Sequence, residues 1–253
     1  MSRVSVETWA PGVAGVLMTG DGRNPLDLDL VTELADALEG IDADPTWRAG
    51  VVASGDRHFC AGATAKFGAG DAAWSTPDLY RVVPRLFAVD LPIVVALNGA
   101  AIGGGAGLAM IGDWRQMAAD ARVQINFSRL GYTPGFGLTR VLPDLVGSHR
   151  AGDLLESGRS VDAGEALAIG LCDAVSDPEL LMADATARAS VMAEAAPLAA
   201  RALKARRLAG LRAELPGVLD DELRLQERLK QTADYAEGMA AMRERRAPRF
   251  EGR

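Results

Sequence analysis

The residues of this chain best placed to do chemistry are largely glycines. From Leu91 to Asp113 the sequence reads L-P-I-V-V-A-L-N-G-A-A-I-G-G-G-A-G-L-A-M-I-G-D. Ile93 to Val95 read as a buried strand, Asn98 and Gly99 as a turn, and Gly103 to Gly105 follow. Leu108 to Ile111 then read as the start of a buried helix. Glycines between a strand and a helix let backbone approach a ligand closely, and N–H groups at the helix N-terminus stay free to face negative charge. The chemistry on offer is the holding of an anion by main-chain amides. Titratable candidates are few. The chain has two histidines, His58 and His149, and two cysteines, Cys60 and Cys172.

Other readings of the glycine-rich stretch fail on its residues. It is as long as a membrane span, but six glycines, a proline and an asparagine interrupt it and Asp90 and Asp113 flank it. A dinucleotide loop would need glycine where Leu108 stands, and no G-K-[ST] follows. A net charge of −7 argues against nucleic acid as a partner. Two cysteines give neither a disulfide framework nor a metal cluster, so no metal is expected. The N-terminus has no apolar signal core, no membrane contact is expected, and a cytoplasmic location follows.

These residues need elements to position them. Val4 to Trp9 and Val13 to Thr19 read as a hairpin joined at Pro11-Gly12. A polar loop at 20–25 carries Arg23 and Asn24. A helix follows, capped by Asp27 or Asp29, with Leu30, Leu34, Ala37, Leu38 and Ile41 on one face. Gly50 to Ala53 is a strand, 59–76 a Gly/Ala-rich loop, and Pro77 to Val89 a helix that returns to the central strand. This alternation indicates an α/β fold. Trp114 to Ala118 and Val123 to Phe127 read as strands. Gly131 to Gly135 is a turn, with Pro134 suited to the first turn of the next helix. Beyond His149 the pattern is almost wholly helical. The charged, leucine-bearing tail has two open readings: packing on a partner subunit, or a self-packed subdomain.

F-C-A-G-A at 59–63, N-G-A-A-I-G-G-G-A at 98–106 and G-Y-T-P-G-F-G at 131–137 together resemble the crotonase (enoyl-CoA hydratase/isomerase) superfamily. The likeness runs from the first strands to the closing R-R-A-P-R-F-E-G-R. It implies a ClpP-like α/β fold: a superhelical core of repeated β-β-α turns over residues 1–193, and a helical trimerisation region over 194–253. Trimers or dimers of trimers are the expected assembly. The implied substrate is an acyl thioester of CoA or of an acyl carrier protein, with CoA brought by the substrate and no separate cofactor. Its thioester oxygen would meet the N–H groups of Ala63 and Gly104, an oxyanion hole. Arg23 is the candidate for the CoA phosphates, and the backbone around Cys60, Gly62 and Thr64 would take the adenine. Thr64 stands where the family usually has aspartate. Lys66 reads as solvated, and Phe250 resembles an aromatic that touches the CoA of a neighbouring subunit.

The chain also departs from the family pattern. A hydratase uses two carboxylates, one to activate water and one to supply the proton. The corresponding positions hold Gly107 and Phe127, in a substrate pocket that Phe127 makes less polar. Tyr132, beside the turn, is a candidate proton donor or else packs against the turn. Asp71, on the loop after Ala63, is a candidate acid or else solvated. His58 is expected to face outward, His149 to cap a helix and Asp113 to bond backbone. The likeness puts Cys60 on a packing strand, which argues against a nucleophile. Segments 126–135 and 211–223 also resemble the decarboxylase branch of polyketide β-branching, but Asp71 and Gln226 stand where its lysine and histidine belong. The expected activity is a lyase or isomerase of this family that stabilises a thioester enolate without the two glutamates. A decarboxylase and a catalytically silent acyl-CoA binder are the alternatives.

Overall fold

The computed structural model describes residues 3–63 and 75–253. The chain opens with β1 (Val4–Ala10), β2 (Val13–Met18), α1 (Leu28–Ala43) and β3 (Ala49–Ser54). Then come α2 (Thr76–Ala88), β4 (Ile93–Leu97), β5 (Ala100–Ile102), α3 (Gly104–Ala109), β6 (Trp114–Ala118) and β7 (Arg122–Gln124). The remainder is α4 (Leu138–Val146), α5 (Ser148–Ser157), β8 (Ser160–Asp162), α6 (Ala163–Ile169), β9 (Ala174–Ser176), α7 (Leu181–Ala193), α8 (Pro197–Leu229) and α9 (Ala233–Glu244). Six strands form one sheet in the order β1-β2-β3-β4-β6-β9, parallel except for the β1–β2 hairpin. A second sheet orders β5-β7-β8. This is the α/β architecture expected from the sequence.

Parallel strands need covered faces and long crossovers. All five residues of β4 are accordingly buried, and α7 lies against β3 and β4. Asp27 caps α1 by accepting from the Leu30 N–H at 2.9 Å, and Leu30, Leu34, Leu38 and Ile41 form the buried face. The carboxyl ends of β2, β3 and β4 lie side by side, so the loops after them share one edge of the sheet. That edge is where open α/β sheets bind ligands.

Several boundaries differ from expectation. The helix after the glycines begins at Gly104 and ends at Ala109, so Leu108 to Ile111 mark its end rather than its start. The strand expected over 123–127 is Arg122–Gln124, and a 3-10 turn occupies Ser128–Leu130. Pro134 lies before α4, whose cap is Gly137. His149 sits inside α5, which Gly147 precedes, and so caps nothing. β8 and β9 interrupt the helical second half; at three residues each they are too short to leave a periodic pattern. α8 packs on α2 and α4 of its own chain. No helix among the described residues is long and apolar enough to cross a membrane.

Candidate active site

Segment 59–63 is stitched between two others by its backbone. Phe59 N–H donates to Asn98 O at 2.9 Å, Cys60 N–H to Ala100 O at 3.1 Å, and Ile102 N–H to Cys60 O at 3.0 Å. On the other side Ala61 N–H donates to Arg23 O at 3.0 Å and Leu26 N–H to Gly62 O at 2.9 Å. Two glycines permit this closeness. Gly62 has φ +84, and a Cβ there would stand 2.8 Å from Ile102 O; a Cβ on Gly105 would overlap the Cys60 carbonyl. The stitching brings Ala63 and Gly104 to the wall of one cavity. Neither N–H has an acceptor among the described residues. α3 has six residues. What it brings to the cavity is therefore its free first-turn N–H groups more than a long helix dipole.

The cavity has a volume of about 100 Å³. Leu26, Leu79, Ile102, Phe127, Leu130, Phe136, Met239 and Met242 make most of its wall, with Tyr80, Tyr132, Tyr235, Asn126 and Gln226 as the polar members. All three tyrosines of the chain border it. Among the described residues the wall holds no carboxylate, lysine or histidine. Tyr132 stands edge-on to Phe127, with ring centres 5.2 Å apart, and edge-on to Tyr235 at 5.4 Å. Burial pushes its phenol well above the ordinary range, so it stays a protonated donor. The Tyr80 hydroxyl donates to Gln226 Oε1 at 3.2 Å, and Gln226 Nε2 donates to Thr133 O at 3.0 Å, tying α2 and α8 to the turn after β7.

The other site residues expected from the sequence divide. Gly62 and Phe127 border the cavity with Ala63, Gly104 and Tyr132. Gly107 does not, because the Phe136 ring covers it: a Cβ on Gly107 would meet Phe136 Cδ1 at 2.5 Å. Arg23 is exposed, with its carbonyl holding Ala61. Cys60 is buried outside the cavity wall, and burial pushes its thiol up to about 12, which leaves it inert at neutral pH. Phe250 is 42% exposed and is not part of the cavity wall. Thr64, Lys66 and Asp71 lie outside the described residues. His58 packs on the Asn98-Gly99 turn with Nδ1 buried and unpartnered, rather than facing outward. Asp113 accepts from the Ile93 N–H at 2.8 Å, as expected, and pairs with Lys204 at 2.7 Å. No group of three or more metal-binding side chains occurs among the described residues.

Tyr80, Tyr235, Met239, Met242 and Phe136 carried no sequence signal as site residues. Each reads as core filler until the fold places it.

Residues 11–253 match the family model described as enoyl-CoA hydratase/isomerase. The chain belongs to the enoyl-CoA hydratase/isomerase family. Its members are lyases and isomerases that act on acyl-CoA. Among similar proteins is a crotonyl-CoA hydratase of Syntrophomonas wolfei, 33% identical over 90% of this chain and 89% of that one. An enoyl-CoA isomerase/hydratase of Zymoseptoria tritici is 33% identical over 91% and 80%. The solved enoyl-CoA hydratase/isomerase of Pseudoalteromonas atlantica superposes with a TM-score of 0.88 at 28% identity, covering 98% of this chain and all (100%) of that one. The crotonase fold follows, with its helical C-terminal region.

Proposed function

We propose that this family member binds an acyl thioester with its carbonyl oxygen on the Ala63 and Gly104 amides. It stabilises the enolate there without the two-carboxylate machinery of hydration. The observation that carries this reading is the pairing of two unengaged amides with an apolar wall that has no described carboxylate. The positions that the family likeness assigns to the two acids hold Gly107, under the Phe136 ring, and Phe127. Neither side chain can activate water or deliver a proton.

The same wall favours decarboxylation of a malonyl-type thioester among enolate-forming reactions. The C–C bond to the carboxylate breaks, CO2 leaves, and the electron pair moves onto the thioester oxygen held by the amides. No base is required, and a dry wall disfavours the starting carboxylate. The Tyr132 phenol is the candidate donor that protonates the α-carbon. The assembly proposed with it is a trimer or dimer of trimers, in which Arg23 and Phe250 reach the CoA. The thiol carrier is CoA or an acyl carrier protein.

The test is a panel of crotonyl-, malonyl- and methylmalonyl-CoA followed for binding and for product, with wild type and Gly104→Pro. Gly104 is the first residue of α3, where proline is tolerated, and the added Cβ meets only the tip of Leu26 and, at 4.0 Å, Phe136. The variant loses the amide donor, and turnover is expected to fall about 10²–10³-fold with CoA binding retained. Hydration of crotonyl-CoA at an ordinary hydratase rate overturns the reading. Binding without turnover of any ester marks a silent acyl-CoA binder.

A further inference from the structure

The shape of the cavity beside the Gly104 amide is set by one side chain. Added Cβ atoms show where the Phe136 ring lies: on Gly107 one would meet Cδ1, Cγ and Cβ at 2.5, 2.7 and 2.8 Å, and on Gly104 one would reach Cδ2 at 4.0 Å. Residues three apart share a helix face, so the ring runs along α3 and fills the space that a side chain at 107 would take. It does so from left-handed backbone, φ 65, which bulky residues rarely adopt. Gly137 follows at φ 75, and α8 holds it and Thr139. The Glu222 carboxylate accepts from Gly137 N–H at 2.8 Å, Thr139 N–H at 3.1 Å and Thr139 Oγ1 at 2.6 Å. Backbone strain of this kind persists where the surroundings over-determine it.

We propose that Phe136 determines the acyl specificity of this site, confining it to short, unbranched acyl groups. The inference rests on the acyl-thioester reading above. Its ring occupies the room next to the oxyanion-binding amide that a branched or aromatic acyl group needs. The cavity holds about 100 Å³. An apolar protein cavity that admits benzene has about 150 Å³, so a phenyl group is larger than the room this cavity offers beside the amide.

The experiment titrates free CoA, butyryl-CoA and phenylacetyl-CoA into wild type, Phe136→Gly and Phe136→Leu by calorimetry. Glycine suits the backbone angle at 136, and leucine retains part of the bulk. Wild type is expected to bind butyryl-CoA tighter than CoA, and phenylacetyl-CoA no tighter than CoA. Phe136→Gly should bind phenylacetyl-CoA at least tenfold tighter than wild type does, since one methylene in an apolar pocket is already worth about 10–200-fold. Phe136→Leu should gain about threefold, and it decides alone if the glycine variant does not fold. Unchanged phenylacetyl-CoA binding in the folded variants, with butyryl-CoA still held, overturns the role of Phe136 and leaves the acyl-thioester reading standing. If no ester binds better than CoA to any of the three, that reading fails and takes this one with it.

Discussion

His58 illustrates how a titratable residue can sit near a site and still not belong to it. Its ring packs on the turn at Gly99, and its Nδ1 is buried without a partner. Burial first, then the charges of Arg57, Arg122 and Arg23, hold its pKa below the ordinary 6.5. Above that value neither the folded nor the unfolded chain carries the proton. As pH falls through it, the unfolded chain takes up a proton that the folded chain refuses, and stability is lost. Between about pH 7.5 and 5.5, melting temperature should therefore fall more for wild type than for His58→Gln; parallel falls would show that the ring titrates freely. Ala63 and Gly104 were named in the sequence through the family likeness of the segments around them, and the structure brings both to one cavity wall. Phe136 lies inside the G-Y-T-P-G-F-G segment but was not singled out, since nothing in its type marks it. Its place depends on a positive φ and on Glu222, a residue 86 positions away.

Among the elements, α8 does the most to lock the site's frame. Arg201, Lys204, Arg207 and Arg212 project from it onto Asp42, Asp113, Asp90, the carbonyls of Phe87 and Val89 at the end of α2 and that of Leu91 just before β4. Lys204 is 6% exposed, and burial depresses its pKa while Asp113 opposes the shift. Removing Asp113 strands that buried ammonium, and Asp113→Ala should cost about 3–5 kcal/mol. Lys204→Met leaves Asp113 still paired with Arg207 and fills the same space, so its cost should be the smaller. Urea denaturation of the two variants checks the order, and equal losses would mean that the ammonium is better solvated than its burial suggests. A charge-rich helix with scattered leucines left packing on itself or on a partner equally open. The acidic residues that α8 meets in its own chain lie more than 90 positions upstream of Lys204, beyond the reach of local pattern.

At the scale of the molecule, one side of the cavity is built by the far end of the chain. α9 supplies Tyr235, Met239 and Met242 to the wall. It approaches the turn at Ser128–Leu130 so closely that a Cβ on Gly238 would stand 2.5 Å from the Leu130 carbonyl carbon. Asp234 in turn accepts from the N–H groups of Glu251 and Gly252 at 2.7 and 2.8 Å, folding the last residues back over the start of α9. Gly238→Val should push α9 off its seat, because backbone cannot yield as a side-chain tip can. We expect at least tenfold weaker acyl-CoA binding with the far-UV dichroism of the sheet and α8 intact; unchanged affinity would mean that α9 is dispensable to the wall. The α/β class, the central strand and the helical tail were all legible, the strand from its run of β-branched residues and the helices from their period. Of the three-residue strands, β7 was legible with shifted bounds, whereas β5 and β8 were not. Their sheet is assembled by pairing between distant segments, with almost no pattern of its own.

The placement of Tyr80, Tyr132 and Tyr235 has an optical consequence. Every phenol chromophore in the chain faces the same small space, and Trp9, Trp47 and Trp114 are absent from its wall. A molecule entering that space must perturb tyrosine absorbance while these three indoles keep their surroundings. The protein thus carries its own occupancy gauge, readable by difference spectroscopy on unlabelled material, whatever acyl group turns out to fill it.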